Sequence, residues 1–96
     1  MKKIKSCLLV MSANLTRDSL LQYSSLPYTK VCILYTGKKD ITEKKIHSKL
    51  EIIAVNHGND LTRKMKQVFD IYMEFIIIPH FSGDDNSRYA IKVYNH

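Results

Sequence analysis

Residues 7–35 read CLLVMSANLTRDSLLQYSSLPYTKVCILY and hold two apolar runs on either side of a polar segment. The runs, residues 7–11 and 30–35, are rich in aliphatic and β-branched side chains and do not alternate with polar residues. Continuous apolar runs of this length are typical of strands that are covered on both faces, as in a parallel sheet.

The polar segment between the two runs predicts a helix. Asn14 or Thr16 can cap its start, and Asp18 suits the positive end of the helix dipole in the first turn. Pro27 would close the helix, because proline disfavours the helical conformation of the residue before it. This part of the chain is therefore expected to run strand, helix, strand.

The rest of the chain has the same order of elements. Two further apolar runs, residues 50–55 and 75–79, flank a segment whose apolar side chains recur on one helical face. The residues of that face are Leu61, Met65, Val68 and Tyr72. We expect a third helix, capped within residues 84–86. No Gly or Pro that would end this helix follows, which is typical of a fraying natural end or of a chain that continues.

Alternating strands and helices predict an α/β fold. We expect a small Rossmann-like three-layer domain with a mainly parallel four-stranded sheet and right-handed crossovers. The 96 residues suffice for one domain, spanning residues 1–96, and leave little room for a second.

The net charge is positive, and most of the basic residues are lysines. The chain has 15 Lys and Arg against 9 Asp and Glu, a formal charge of +6. Proteins that read nucleic-acid grooves favour the arginine fork, and the lysine-rich residues 38–49 include no aromatic side chain on which a base could stack. The pattern favours a solvated, mobile basic connection over a nucleic-acid interface.

Two cysteines, Cys7 and Cys32, lie inside apolar runs, and two thiols at this spacing form neither a disulfide framework nor a metal site. We expect buried, reduced thiols and a cytoplasmic protein. The apolar core of residues 7–11 is shorter than the roughly 7–15 residues of a signal sequence. No run approaches the roughly 20 apolar residues of a membrane-spanning helix, so no membrane partner is expected.

Ligands of open parallel sheets bind beyond the carboxyl ends of the strands. Four short polar segments would lie there, and they supply six candidate substrate-binding residues: Ser12, Asn14, His57, His80, Asp84 and Asp85. The histidine at 80 could titrate near neutral pH, and the two aspartates could hold a cation or an amine. Alternatively, residues 82–85 form a turn that leads into a helix cap, and His57 is a turn residue.

Several catalytic and cofactor motifs are missing from the sequence. It contains no dinucleotide-binding glycine fingerprint, no P-loop, no nucleophile elbow and no zinc-ligand spacing. We therefore expect no catalytic residue, no metal site and no cofactor site in this chain by itself.

The strand and loop segments resemble a known family. Residues 7–14 (CLLVMSAN), 30–37 (KVCILYTG), 50–56 (LEIIAVN) and 74–90 (EFIIIPHFSGDDNSRYA) are similar to the N-terminal, or pre-ATP-grasp, domain of ATP-grasp carboxylate–amine ligases. The resemblance spans nearly the whole chain. In that family the fourth strand ends in a short loop that maps onto residues 80–85.

The resemblance implies a role inside a larger enzyme. Such ligases use ATP to activate a carboxylate as an acyl phosphate, and an amine then attacks it to form an amide. ATP and magnesium would bind in later lobes of the parent enzyme. This domain would pack against those lobes, supply one wall of the cleft for a small carboxylate or amine substrate, and be inactive alone.

Two other interpretations stay open. The chain can be a stand-alone Rossmann-like ligand-binding or nucleotide-sensing module, similar to the nucleotide-sensing domains of CRISPR-associated proteins. It can also be a structural module that binds a protein partner through an open sheet edge or through its basic connection.

Overall fold

A computed structural model describes residues 5–37, 48–56 and 59–80 of the chain. Its elements are the strands β1 (Ser6–Ser12), β2 (Lys30–Tyr35), β3 (Leu50–Ala54) and β4 (Ile76–His80) and the helices α1 (Arg17–Ser24) and α2 (Asn59–Ile71). Each strand coincides with a predicted apolar run to within one residue at each end. The predicted third helix and most of the basic connection lie outside the described residues.

The four strands form one sheet in the order β3-β2-β1-β4, and every neighbouring pair is parallel. The predicted α/β fold, a small Rossmann-like domain with a parallel four-stranded sheet, is therefore confirmed. The chain passes from β1 through β2 to β3 in one direction and then places β4 on the far side of β1. The point at which the strand order reverses lies between β1 and β4.

The two helices cover opposite faces of the sheet and make a three-layer structure. On one face, Leu8 and Val10 of β1 pack in a cluster with Leu20 of α1. On the other face, the intervening β1 residues pack against the predicted apolar face of α2; this cluster includes Cys7, Leu9, Met11, Leu61, Met65, Val68 and Tyr72. Burial of one such aliphatic side chain contributes about 1.5–3 kcal/mol.

Thr16, and not Asn14, caps the start of helix α1. The Thr16 hydroxyl accepts a hydrogen bond from the Ser19 N–H at 3.1 Å, and the Ser19 hydroxyl accepts one from the Thr16 N–H at 3.0 Å. This reciprocal capping box satisfies two backbone donors. The helix ends at Ser24, before Pro27, as the proline predicts.

Aromatic side chains pack at the edge of the sheet where β4 begins. Phe75 meets Tyr72 edge to face with ring centroids 5.1 Å apart, and the Lys5 ammonium lies 5.6 Å from the Phe75 centroid. These contacts tie the end of α2 to the start of β4. Within the described ranges, neither helix has the length and apolarity needed to cross a membrane.

Candidate functional site

All four strands end at the same edge of the sheet, because every pair is parallel. The Thr36 N–H donates to the Ser12 carbonyl at 3.0 Å, and the Val55 N–H donates to the Tyr35 carbonyl at 2.8 Å. The segments that follow β1, β2 and β3 are therefore neighbours. We call residues 12–14, 35–37 and 54–56, together with His80, the carboxyl edge.

Three of the six predicted site residues lie at this carboxyl edge. Ser12 ends β1 and is half-buried, and Asn14 is exposed in the loop before α1. His80 is exposed at the end of β4 and pairs in register with Val10. The other three, His57, Asp84 and Asp85, lie outside the described residues.

Ser12 shapes the loop that follows β1. Its hydroxyl donates to the Asn14 carbonyl at 2.9 Å and accepts the Asn14 N–H at 3.3 Å. Both contacts lie within the loop, so they fix the path of the backbone between β1 and α1. The Asn14 side chain is left at the surface of the carboxyl edge.

Polar side chains in the first turns of α2 contact the backbone at the end of β3. The Asn56 N–H donates to Asp60 Oδ2 at 2.8 Å, Arg63 forms an ion pair with Asp60, and the Lys64 ammonium donates to the Ala54 carbonyl at 3.1 Å. The Asn56 N–H and then the Arg63 guanidinium hold the pKa of the Asp60 carboxyl below its ordinary value. The Asp60 carboxylate is therefore already engaged by the Asn56 N–H and by Arg63.

Backbone N–H groups at the start of α1 also have partners within the chain. The capping box uses the N–H groups of Thr16 and Ser19, and Asp18 places a negative charge in the first turn. A phosphate that approached this helix terminus would compete with the Thr16 hydroxyl and would be repelled by the Asp18 carboxylate. The capping box therefore already uses two of the backbone amides near this terminus, and Asp18 makes it less favourable for an anion than the helix start of a dinucleotide-binding domain.

Tyr35 is a residue of the carboxyl edge that the sequence analysis missed. It is 5% exposed. A Cβ added to Gly37 would lie 2.2 Å from the Tyr35 hydroxyl oxygen and 2.5 Å from the Ala13 carbonyl oxygen. Glycine at position 37 therefore provides the space in which the hydroxyl approaches the β1 loop.

The sequence contained one signal for Tyr35. A tyrosine at the last position of a buried parallel strand has an apolar ring that suits the core and a hydroxyl that can reach the strand end. A glycine two residues later is typical of a close approach. Because Tyr35 ends an apolar run, the pattern instead indicated core packing, which its burial also shows.

The buried thiols are unsuited to chemistry. Burial raises the pKa of both Cys7 and Cys32, and each is enclosed in the cluster under α2. A protonated, enclosed thiol is a poor nucleophile and a poor metal ligand. Among the described residues, no group of three or more His, Cys, Asp or Glu side chains is placed to hold a metal ion.

Comparison of the chain with protein-family models, with curated proteins and with solved structures finds no match.

Proposed function

We propose that this chain is the N-terminal, substrate-side domain of an ATP-dependent carboxylate–amine ligase. It would form one wall of a cleft for an amino acid or a peptide and would be inactive alone. The supporting observation is the reversal of strand order between β1 and β4. In open α/β sheets, ligands bind beyond the carboxyl ends of the strands at such a reversal.

The electrostatics of the carboxyl edge favour a small substrate over a nucleotide. The start of α1 is capped from within and carries Asp18, and the Asp60 carboxylate is paired with Arg63. Both features argue against binding of a magnesium–nucleotide complex at the start of α1 or at Asp60. The proposal assigns ATP and magnesium to the remaining lobes of the ligase, which this domain would contact as its protein partners.

The exposed polar side chains of the carboxyl edge suit the two ends of an amino acid. The Asn14 amide can donate to a carboxylate or accept from an amine, and the His80 imidazole can do the same. The proposal also keeps His57, Asp84 and Asp85 as substrate-binding residues. These groups would bind and orient the substrate, while the chemical step would take place against the other lobes.

An NMR titration of the ¹⁵N-labelled chain tests the proposal. The probes are a panel of amino acids and dipeptides, with ATP and magnesium as the rival ligand. We expect saturable shifts of the Ser12, Asn14 and Gly37 amide resonances with at least one panel member at millimolar concentration. We expect none with ATP and magnesium.

A matched pair of variants locates the binding. Asn14→Ala should weaken the response to the panel, whereas Gln22→Ala, which truncates an exposed amide on α1, should leave it unchanged. Saturable binding of ATP and magnesium at the start of α1 would overturn the proposal and favour the stand-alone nucleotide-sensing module. The absence of shifts with every amino acid and dipeptide of the panel would overturn it as well.

The nucleotide sequence downstream of the codon for His96 provides a second test. The ligase interpretation predicts coding sequence for two further lobes, with lysines and carboxylates that bind nucleotide and magnesium. An immediate stop codon would contradict it.

A further inference from the structure

The two outer strands of the sheet, β3 and β4, differ in what they offer to a further strand. In β4 the Ile76 N–H is directed towards β1, so residues 75, 77 and 79 direct their backbone groups away from the sheet. The Phe75 N–H already donates to the Tyr72 carbonyl at 2.9 Å, and Pro79 has no N–H. Two of the three outward N–H positions of β4 are therefore closed to another strand.

Strand β3 keeps its outward backbone groups accessible. The Val55 N–H donates to the Tyr35 carbonyl, so the odd-numbered positions of this strand face β2. The outward-facing residues are therefore Leu50, Ile52 and Ala54. Within the described ranges, β3 pairs with β2 alone. Ile52 is half-buried and Ala54 is exposed, so solvent and other chains can reach this side of the strand.

Glu51 places a carboxylate without a partner on this outer strand. It shares a face of β3 with Ile53, which packs in the cluster under α2. Among the described residues, no hydrogen bond or ion pair engages the Glu51 carboxylate, although the side chain is half-buried. A charge at this position opposes pairing with an uncharged apolar strand. A strand that pairs with β3 must therefore bring a cation to the α2 face.

We propose that β3 pairs antiparallel with β3 of a second copy of this chain, about a two-fold axis at Ile52. In this register Ile52 lies opposite the same residue of the second copy, and Leu50 lies opposite Ala54. Outward-facing residues thus meet outward-facing residues, as the hydrogen-bonded pairs of an antiparallel ladder require. A large side chain lies beside a small one at each end, and the two sheets become one continuous sheet.

The second copy supplies the cation that Glu51 lacks. The Lys64 ammonium reaches β3 from α2 and donates to the Ala54 carbonyl at 3.1 Å. That carbonyl keeps a second lone pair for the Leu50 N–H of the other copy, which is the residue next to Glu51. Each Lys64 therefore lies beside Glu51 of the other copy, and the two-fold axis forms this ion pair twice. This charge complementarity favours a second copy over an apolar strand.

The proposed interface is small. Strand β3 has five residues, whereas a standard interface has roughly 20–30 residues on each side. We therefore expect weak association, with a dissociation constant on the order of 100 μM. The dimer goes beyond the proposed function and does not depend on it, because β2 separates β3 from the reversal at β1 and β4.

Exchange of the two charges tests the proposal, with sedimentation equilibrium of the 96-residue chain as the measurement. Glu51→Lys and Lys64→Glu should each weaken dimerisation about tenfold, because like charges then meet across the axis. The double variant should regain most of the parent affinity. Glu74→Lys and Lys66→Glu are the controls, since they change the net charge equally at exposed positions outside β3.

An NMR dilution series of the ¹⁵N-labelled chain locates the interface. The Ile52 amide resonance should move as the concentration rises, whereas that of Ile78, which is directed towards β1, should not. Ile52→Pro removes an outward N–H without breaking a bond to β2, so it should abolish dimerisation.

Three results would overturn the proposal. One is a chain that stays monomeric at about 1 mM, well above the expected dissociation constant. Another is a dimer whose shifts lie at the exposed apolar side chains of Ile71 and Met73 instead of in β3. The third is a double charge-exchange variant that dimerises no better than either single variant. In each case the cleft-wall proposal would stand or fall on its own titration.

Discussion

The Cys32 thiol lies within β2, enclosed by the same cluster that holds Cys7. Desolvation raises the pKa of Cys32 above the 9.0 of a free thiol, and the neighbouring Cys7 raises it further. The folded state therefore holds this proton more tightly than the unfolded state does. The resulting contribution to stability is complete below a pH of about 9.0 and is lost as the pH rises further.

We therefore predict that the free energy of unfolding falls above a pH of about 9.0 and that Cys32→Ala makes this fall shallower. Urea unfolding at a series of alkaline pH values measures both slopes. Burial also raises the pKa of Tyr72, so a part of the fall should remain in the variant. Leu34→Ala is the control, since it truncates a buried neighbour in β2 without removing a thiol.

A slope in Cys32→Ala as steep as that of the parent chain would contradict this account. So would rapid reaction of both thiols with a disulfide reagent in the folded state. The expected reaction is slow until denaturant is added, because the reagent attacks the thiolate and needs access to it.

At single positions, the sequence predicted burial better than it predicted polar contacts. The helical spacing of Leu61, Met65 and Val68 identified one face of α2, and all three side chains are buried. The sequence left the cap of α1 open between Asn14 and Thr16, because either side chain can accept a backbone N–H. The folded structure resolves this choice, because Ser19 completes the box with Thr16.

The first turn of helix α2 is stabilised by one carboxylate. Asp60 accepts the Asn56 N–H and pairs with Arg63, which lowers the pKa of its carboxyl. An unfolded aspartate titrates near 3.8, so the folded state binds this proton more weakly. The contribution to stability is present above that pH and is lost as the pH falls through the lower pKa of the folded state.

We predict that Asp60→Asn lowers the free energy of unfolding at neutral pH and that its difference from the parent chain shrinks as the medium is acidified below pH 3.8. Urea unfolding across the acid range measures this difference. Asp70→Asn removes an exposed carboxylate from the same helix and provides the control. A difference that stays constant with pH would show that Asp60 does not act through its charge.

Strand β4 shows why an apolar run with a proline can still join the sheet. The Ile76 N–H donates to the Lys5 carbonyl at 2.9 Å. Because N–H groups alternate in direction along a strand, the N–H position of residue 79 points away from β1. Pro79 therefore costs no hydrogen bond with β1, which is how prolines are accommodated in the outer strand of a sheet.

The order of the strands could not be read from the sequence. Each apolar run predicts a strand from local information, but the pairing of β1 with β4 joins residues about seventy positions apart in the chain, as in Ser6 with Ile76. Such pairing depends on non-local packing. The reversal that positions the candidate site is therefore a property of the assembled sheet.

At the scale of the whole molecule, β1 joins the two layers of the core. Its residues alternate between the cluster under α1 and the cluster under α2, and it lies between β2 and β4 in the sheet. Neither layer can be lost without exposing one face of β1. The domain should therefore unfold in a single cooperative transition.

We predict that Leu20→Ala and Met65→Ala, one in each layer, each lower the free energy of unfolding by about 2–5 kcal/mol. Both side chains are fully buried, whereas Leu21 is 45% exposed and Met73 is 76% exposed. Leu21 lies in α1 and Met73 follows the end of α2, so they provide matched controls. Urea unfolding followed by circular dichroism gives the loss for each variant. Leu21→Ala and Met73→Ala should cost much less, because their side chains bury little area.

Hydrogen exchange shows whether the two layers are coupled. If β1 joins them, Leu20→Ala and Met65→Ala should each speed exchange of the Leu9 and Val10 amides, although these residues face opposite layers. If Leu20→Ala instead speeds exchange only in α1, the layers open independently. The carboxyl edge would then lose the rigid support of β1 that holds Ala13 beside the Tyr35 hydroxyl.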